Sequence, residues 1–131
     1  MALYYIEIKG KPSPLKTRLG MTFYIDYAHK LPGHVICGKE HGHTAKILIE
    51  IEGEVKGGTN YKDNMLIDFA EMKRICRIVL NELDHRNLNE LFVMPTSEVI
   101  TDWIYHQLIE RIPVVEVIFF EGNDKWCRIK S

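Results

Sequence analysis

The sequence predicts an α+β domain, an antiparallel sheet with helices on one face. Two observations carry this. Segments towards both ends of the chain alternate apolar and polar residues with a period of two, and between them lie two stretches with apolar residues at helical spacing. The order is strand, strand, helix, helix, strand, strand, and a further strand is expected at the N-terminus from Leu3 to Ile8.

The first main strand is read over Met21 to His29, where Met21, Phe23, Ile25 and Tyr27 are apolar and Thr22 and Asp26 are polar. The second runs from His41 to Glu54, with Ala45, Ile47, Ile49 and Ile51 alternating against Lys46, Glu50, Glu52 and Glu54. Asp68, with Glu71 three residues on, opens a helix whose stripe is Phe69, Met72, Ile75, Cys76, Val79, Leu80 and Leu83. Pro95-Thr96-Ser97-Glu98 starts a second helix carrying Ile100, Trp103, Ile104 and Leu108 before Pro113. Val115, Val117 and Phe119 form one face of a third strand, and Gly122-Asn123-Asp124 turns into a last one around Trp126 to Ile129.

Length and charge bound the function. A chain of 131 residues fits one domain, expected to span 1–131. Lysine plus arginine number 17 against 18 aspartates and glutamates, so no net positive charge recommends nucleic acid as a partner. Apolar runs such as Val117-Ile118-Phe119-Phe120 fall far short of the ~20 residues a membrane helix needs. With no export signal and three cysteines, an odd number, a soluble cytoplasmic protein with free thiols is expected.

Three histidines fall on the apolar parity of neighbouring strands: His29 on the first, His41 and His43 on the second. Strands pair ~4.8 Å apart and i, i+2 residues share a face, so the three imidazoles can converge on one zinc ion. The plainer reading is surface or hydrogen-bonded core histidines, but the matching parities favour zinc. Cys37, in Cys37-Gly38-Lys39-Glu40-His41-Gly42-His43, is a spare thiol, a fourth ligand closing the site, or a thiolate able to take a proton. Asp84-His85 reads by itself as a helix-end cap and a surface residue, and beside a thiol as a proton relay. Glu121 shares the apolar parity and reads either as a strand-end carboxylate facing solvent or as an acceptor for paired N–H donors of a ligand. Cys76 and Cys127 read as packing residues, His34 and His106 as surface residues.

Ala28-His29-Lys30-Leu31, Cys37-x-x-x-His41-Gly42-His43, Met65-Leu66-Ile67-Asp68-Phe69, Leu83-Asp84-His85-Arg86-Asn87-Leu88, Pro95-Thr96-Ser97-Glu98 and Phe120-Glu121 together resemble the 6-pyruvoyltetrahydropterin synthase and 6-carboxytetrahydropterin synthase family. The resemblance spans roughly residues 21 to 130. It implies the tunnelling fold, with four-stranded antiparallel sheets of several subunits joined in a barrel and two helices outside each, as a hexamer of two trimers. It implies zinc on His29, His41 and His43, a general-base thiolate at Cys37, a relay completed by Asp84 and His85, and a pterin held by Glu121 with Thr96 and Ser97.

The substrate implied is 7,8-dihydroneopterin triphosphate, with loss of triphosphate and no redox cofactor. Two products occur in the family. The three-residue gap between Cys37 and His41 resembles the branch giving 6-carboxytetrahydropterin, on the deazaguanine nucleoside route, rather than the pyruvoyl branch of biopterin synthesis. Glu40 is a departure that points to relatives cleaving the side chain towards a folate precursor. Tyr24-Ile25-Asp26-Tyr27 replaces a usual Ser/Ala-rich approach to the first histidine, and Lys9 to Gly20 reads as a Pro-containing connection. A different class of reading is a non-catalytic pterin- or purine-binding module whose zinc is structural and ligated by Cys37. A nucleic-acid role ranks last on the charge balance.

Overall fold

The computed structural model describes residues 15–131, so the strand expected from Leu3 to Ile8 lies outside the described residues. Strands β1 (Leu15–His29) and β2 (His41–Val55) pair antiparallel along their full length, from Leu15 opposite Val55 to His29 opposite His41. Alternation dictates this pairing, because Phe23, Ile25, Tyr27 and His29 are buried on the same face as Ala45, Ile47, Ile49 and Ile51. The expected connection up to Gly20 is corrected from Leu15 onward, where the chain already runs as β1.

Helix α1 (Phe69–Leu80) begins where the Asp68 side chain accepts from the Ala70 N–H at 2.8 Å, and buries Met72, Cys76, Val79 and Leu80. Phe69 was expected on that stripe but is 55% exposed, since it precedes the turn that faces the sheet. A two-residue strand β3 (Arg86–Asn87) then lies parallel to β1 at Tyr27 and Ala28. Helix α2 (Ser97–Ile109) is capped by Thr96, whose hydroxyl accepts from the Val99 N–H at 3.2 Å, and buries Ile100, Thr101, Ile104 and Leu108.

β4 (Val114–Glu121) pairs antiparallel with β2, and β5 (Lys125–Lys130) antiparallel with β4 across a turn in which Gly122 takes a φ of +75°. The sheet order is β3-β1-β2-β4-β5. The four expected strands are β1, β2, β4 and β5, and β3 makes the sheet a mixed one of five. Val115 was expected to share a face with Val117 and Phe119. A register shift between Glu50 and Ile51 places Val114 in the core instead, since one extra residue flips the side chains beyond it.

The core lies between one face of this sheet and the two helices. Near the sheet's end the same face carries the histidines. The opposite face holds an ionic network in which Glu116, 7% exposed, meets Arg128 at 2.7 Å and Arg18 at 3.8 Å, beside Glu50 and Glu52. Among the described residues, no helix is long and apolar enough to cross a membrane.

Candidate metal centre and ligand groove

His29, His41 and His43 come together where β1 ends and β2 begins, because His29 pairs directly with His41 and all three share the core parity. Ring centroids lie 4.6 Å apart for His29 and His41, 4.9 Å for His41 and His43, and 5.1 Å for His29 and His43. Each offers a nitrogen, and the three nitrogens lie within 4.8 Å of one another.

The hydrogen bonds decide which nitrogen is free. His29 Nδ1 donates to the Pro95 carbonyl at 2.8 Å and His41 Nδ1 donates to the Lys39 carbonyl at 2.7 Å. A carbonyl only accepts, so both Nδ1 atoms carry the proton and both Nε2 atoms keep a lone pair. His29 Nε2 and His43 Nε2 are buried with no hydrogen-bond partner. Burial, the nearby His29 and His41 rings and Lys125 push the His43 imidazole below its usual range, against the pull of Glu121, which favours the neutral ring a metal needs. This donor set fits a divalent ion such as zinc, with a position left open.

Glu121 faces the cluster from the end of β4, its oxygens 3.8 Å from His43 Nε2 and 4.0 Å from His29 Nε2. Ser97 Oγ donates to Glu121 Oε2 at 3.0 Å, so the first residue of α2 orients the carboxylate. Thr96 spends its hydroxyl on the helix cap, while the preceding Pro95 holds His29. Cys37, a free thiol, lines a groove of about 570 Å³ with Lys39, His41, His43, Glu121 and Lys125.

Asp84 and His85 are placed elsewhere. His85 Nδ1 meets Asp84 Oδ1 at 2.9 Å, with the His85 backbone at a φ of +59°, a conformation side chains rarely adopt outside functional sites. The pair is fastened to β1 at Asp26: the Asp26 N–H donates to Asp84 Oδ1 at 2.9 Å, and the His85 N–H donates to the Asp26 carbonyl at 2.6 Å. Asp26 points to the sheet face opposite Tyr27 and His29, where Thr44 Oγ1 donates to it. His85, Asp26, Thr44 and Asn87 line a second groove, and Asn87 bonds Glu40 there. One chain therefore brings Cys37, Glu121 and the three histidines together, and keeps Asp84 and His85 across the sheet.

Sequence reasoning did not single out Asp26 or Thr44 as partners of His85, although both sit on the polar parity of strands ending at the site. It treated Tyr27 as core. Tyr27 packs 5.1 Å from the His29 ring and 5.5 Å from the His43 ring, with its hydroxyl buried and unpartnered. Burial, and then the Glu121 charge, push that phenol far up, so it stays a neutral donor. Its parity, two residues before His29, was the available signal. Cys76, expected to pack, is buried in the core with its thiol pushed up to about 12; Cys127 is half-buried, and His34 and His106 are exposed.

An α+β chain with three converging imidazoles and an oriented carboxylate at one end of its sheet defines a class of metal-site proteins built on the tunnelling fold. Residues 18–131 match the sequence profile of the family described as 6-pyruvoyl tetrahydropterin synthase, and the chain belongs to that family. It is 40% identical over 113 residues, 86% of this chain and 94% of the other, to a putative 6-carboxy-5,6,7,8-tetrahydropterin synthase of Archaeoglobus fulgidus. It is also 35% identical over 88 residues, 64% of this chain and 72% of the other, to a dihydroneopterin monophosphate aldolase of Pyrococcus furiosus. The 6-pyruvoyl tetrahydropterin synthase of Caenorhabditis elegans shares the fold, with a TM-score of 0.78 at 20% identity over 89% of this chain and 96% of that one.

Proposed function

We propose that this chain is a zinc-dependent lyase that acts on 7,8-dihydroneopterin triphosphate, eliminates triphosphate and gives 6-carboxy-5,6,7,8-tetrahydropterin. The observation that carries the reading is the free Nε2 lone pairs of the histidine cluster facing a Ser97-oriented Glu121 in one groove with Cys37. The carboxy product is favoured by the A. fulgidus relative, matched over nearly its whole length, and by the Cys37-x-x-x-His41 spacing.

His29, His41 and His43 hold the zinc. When bound there it acts as a Lewis acid on the substrate's side-chain hydroxyls and makes the adjoining C–H more acidic. Glu121 accepts two parallel hydrogen bonds from the guanidine-like edge of the pterin, which sets the ring's direction in the groove. Thr96 and Ser97 build that end of the pocket, Ser97 through its hydrogen bond to Glu121. Cys37 Sγ takes the proton from the side chain, and His85, oriented by Asp84, returns it. Since Asp84 and His85 lie across the sheet from Cys37, the relay is completed by a neighbouring copy in a hexamer of two trimers, and the whole chain acts as a single domain in the cytoplasm.

The P. furiosus relative and Glu40 favour a second reading, an aldolase-type carbon–carbon cleavage that leaves phosphate on the departing fragment. The test is incubation of the zinc-loaded protein with dihydroneopterin triphosphate, products identified by mass. Acetaldehyde, free triphosphate and a carboxypterin support the proposal. Triphosphate with an intact three-carbon side chain moves the chain to the pyruvoyl branch, and a phosphorylated aldehyde moves it to the aldolase reading. No conversion by folded, zinc-replete protein rejects the substrate.

A further inference from the structure

Among the described residues, three buried side-chain atoms lack a hydrogen-bond partner: the Tyr27 hydroxyl, His29 Nε2 and His43 Nε2. Leaving a buried polar group unpaired costs about 1–3 kcal/mol. Three on adjoining rings mark a place built around something bound. A metal ion takes the lone pairs of the two nitrogens. A neutral phenol offers a proton, which a cation cannot use, so the Tyr27 hydroxyl still needs an acceptor.

Its position says where that acceptor lies. Tyr27 is on β1 and only 4% exposed, yet its ring reaches to 5.8 Å from Phe119 on β4, two strands away. To do so it leans across β2 at Ala45, the diagonal neighbour small enough to lie beneath it. Ala45 stands directly opposite Glu121. The phenol therefore runs from the histidine cluster towards the carboxylate.

We propose that Tyr27 is a ligand-recognition residue whose hydroxyl donates a hydrogen bond to a ring carbonyl adjoining the N–H edge that Glu121 accepts. A carboxylate taking two neighbouring N–H groups beside an O–H donor is complementary to a 2-amino-4-oxo heterocycle, which presents donor, donor and acceptor in a row. The proposal rests on the pterin reading above and names the residue that reads the oxo group.

The test is Tyr27→Phe, which removes one oxygen and keeps the ring. Binding of pterin and of 2-aminopteridine, which lacks the oxo group, is measured by fluorescence titration on wild type and variant, both zinc-loaded and metal-free. The N–H lost together with the oxo group is common to both proteins and cancels in the ratio. The expected result is about three- to tenfold weaker pterin binding by the variant, with or without metal, and unchanged 2-aminopteridine binding. The unliganded variant should unfold at the same temperature as wild type or higher, because it no longer buries an unpaired hydroxyl. Equal pterin affinities would overturn the proposal, as would equal weakening for both ligands with a lowered unfolding temperature, the signature of a purely structural hydroxyl. Wild type that binds neither ligand overturns the pterin reading and this inference with it.

Discussion

Glu121→Gln isolates the carboxylate charge while keeping size and one acceptor oxygen. In the folded chain Ser97 occupies one lone pair of Glu121 Oε2, and the side chain is 21% exposed, leaving lone pairs on both oxygens for a ligand. An amide offers one acceptor where the carboxylate offers two, and turns a donor towards the ligand's own N–H. Hydrogen bonds to charged groups contribute about 1.5–3 kcal/mol each, so losing one arm of the pair weakens pterin binding about 10- to 150-fold. Fluorescence titration of pterin reads this directly, with zinc content measured in parallel. Glu121 oxygens lie 3.8–4.0 Å from the histidine nitrogens, too far to be counted among the three imidazole ligands, so the variant should still load zinc. A change below about twofold in pterin affinity refutes the assignment of Glu121 as the pterin anchor, and loss of zinc with loss of pterin would make it a metal-site residue instead.

Cys37→Ala should abolish turnover with zinc content and assembly intact, and full activity in that variant sinks the base assignment. Chelation should leave the circular dichroism spectrum native, because the core of Ile47, Ile49, Phe119, Met72 and Ile104 packs without the histidines; unfolding on chelation would favour a structural zinc. Glu50 shares a hydrogen bond with Glu116, which raises its carboxyl above the usual range, with desolvation and the Glu116 charge adding to the rise. Because the folded-state value is raised, the folded chain binds the extra proton and the repulsion is felt only above it. Glu50→Gln should therefore unfold at a higher temperature than wild type at pH 7, with the gap closing as pH falls towards about 4.5, where wild-type Glu50 is protonated. A gap that stays constant with pH in a thermal melt series would refute the shared-proton account.

Most of the metal centre was legible in the sequence because it follows from alternation alone. Once β1 and β2 pair on their apolar faces, His29, His41 and His43 must share that face, and Glu121 joins them by the parity of β4. The caps at Asp68 and Thr96 were legible for a similar reason, since capping is local chemistry between a side chain and an N–H two or three residues on. Other features depended on relations between distant segments. Val114 rather than Val115 enters the core because of a register shift against β2, which no pattern within β4 reveals. Asp84 and His85 lie across the sheet from Cys37 because β3 docks in parallel on the outer edge of β1, and strand parity says nothing about where a loop residue lands.

By itself, then, the sequence determined which residues share a face, since side-chain direction along a strand is set by covalent geometry. Only the tertiary structure decided which free atoms meet across strands. Pro95 and Lys39 carbonyls fix the two imidazole tautomers, Ser97 turns Glu121, and Tyr27 leans over Ala45 with its hydroxyl unpaired. Those contacts join residues far apart in the chain, and their geometry is set by the packing of α2 against the sheet rather than by any local preference.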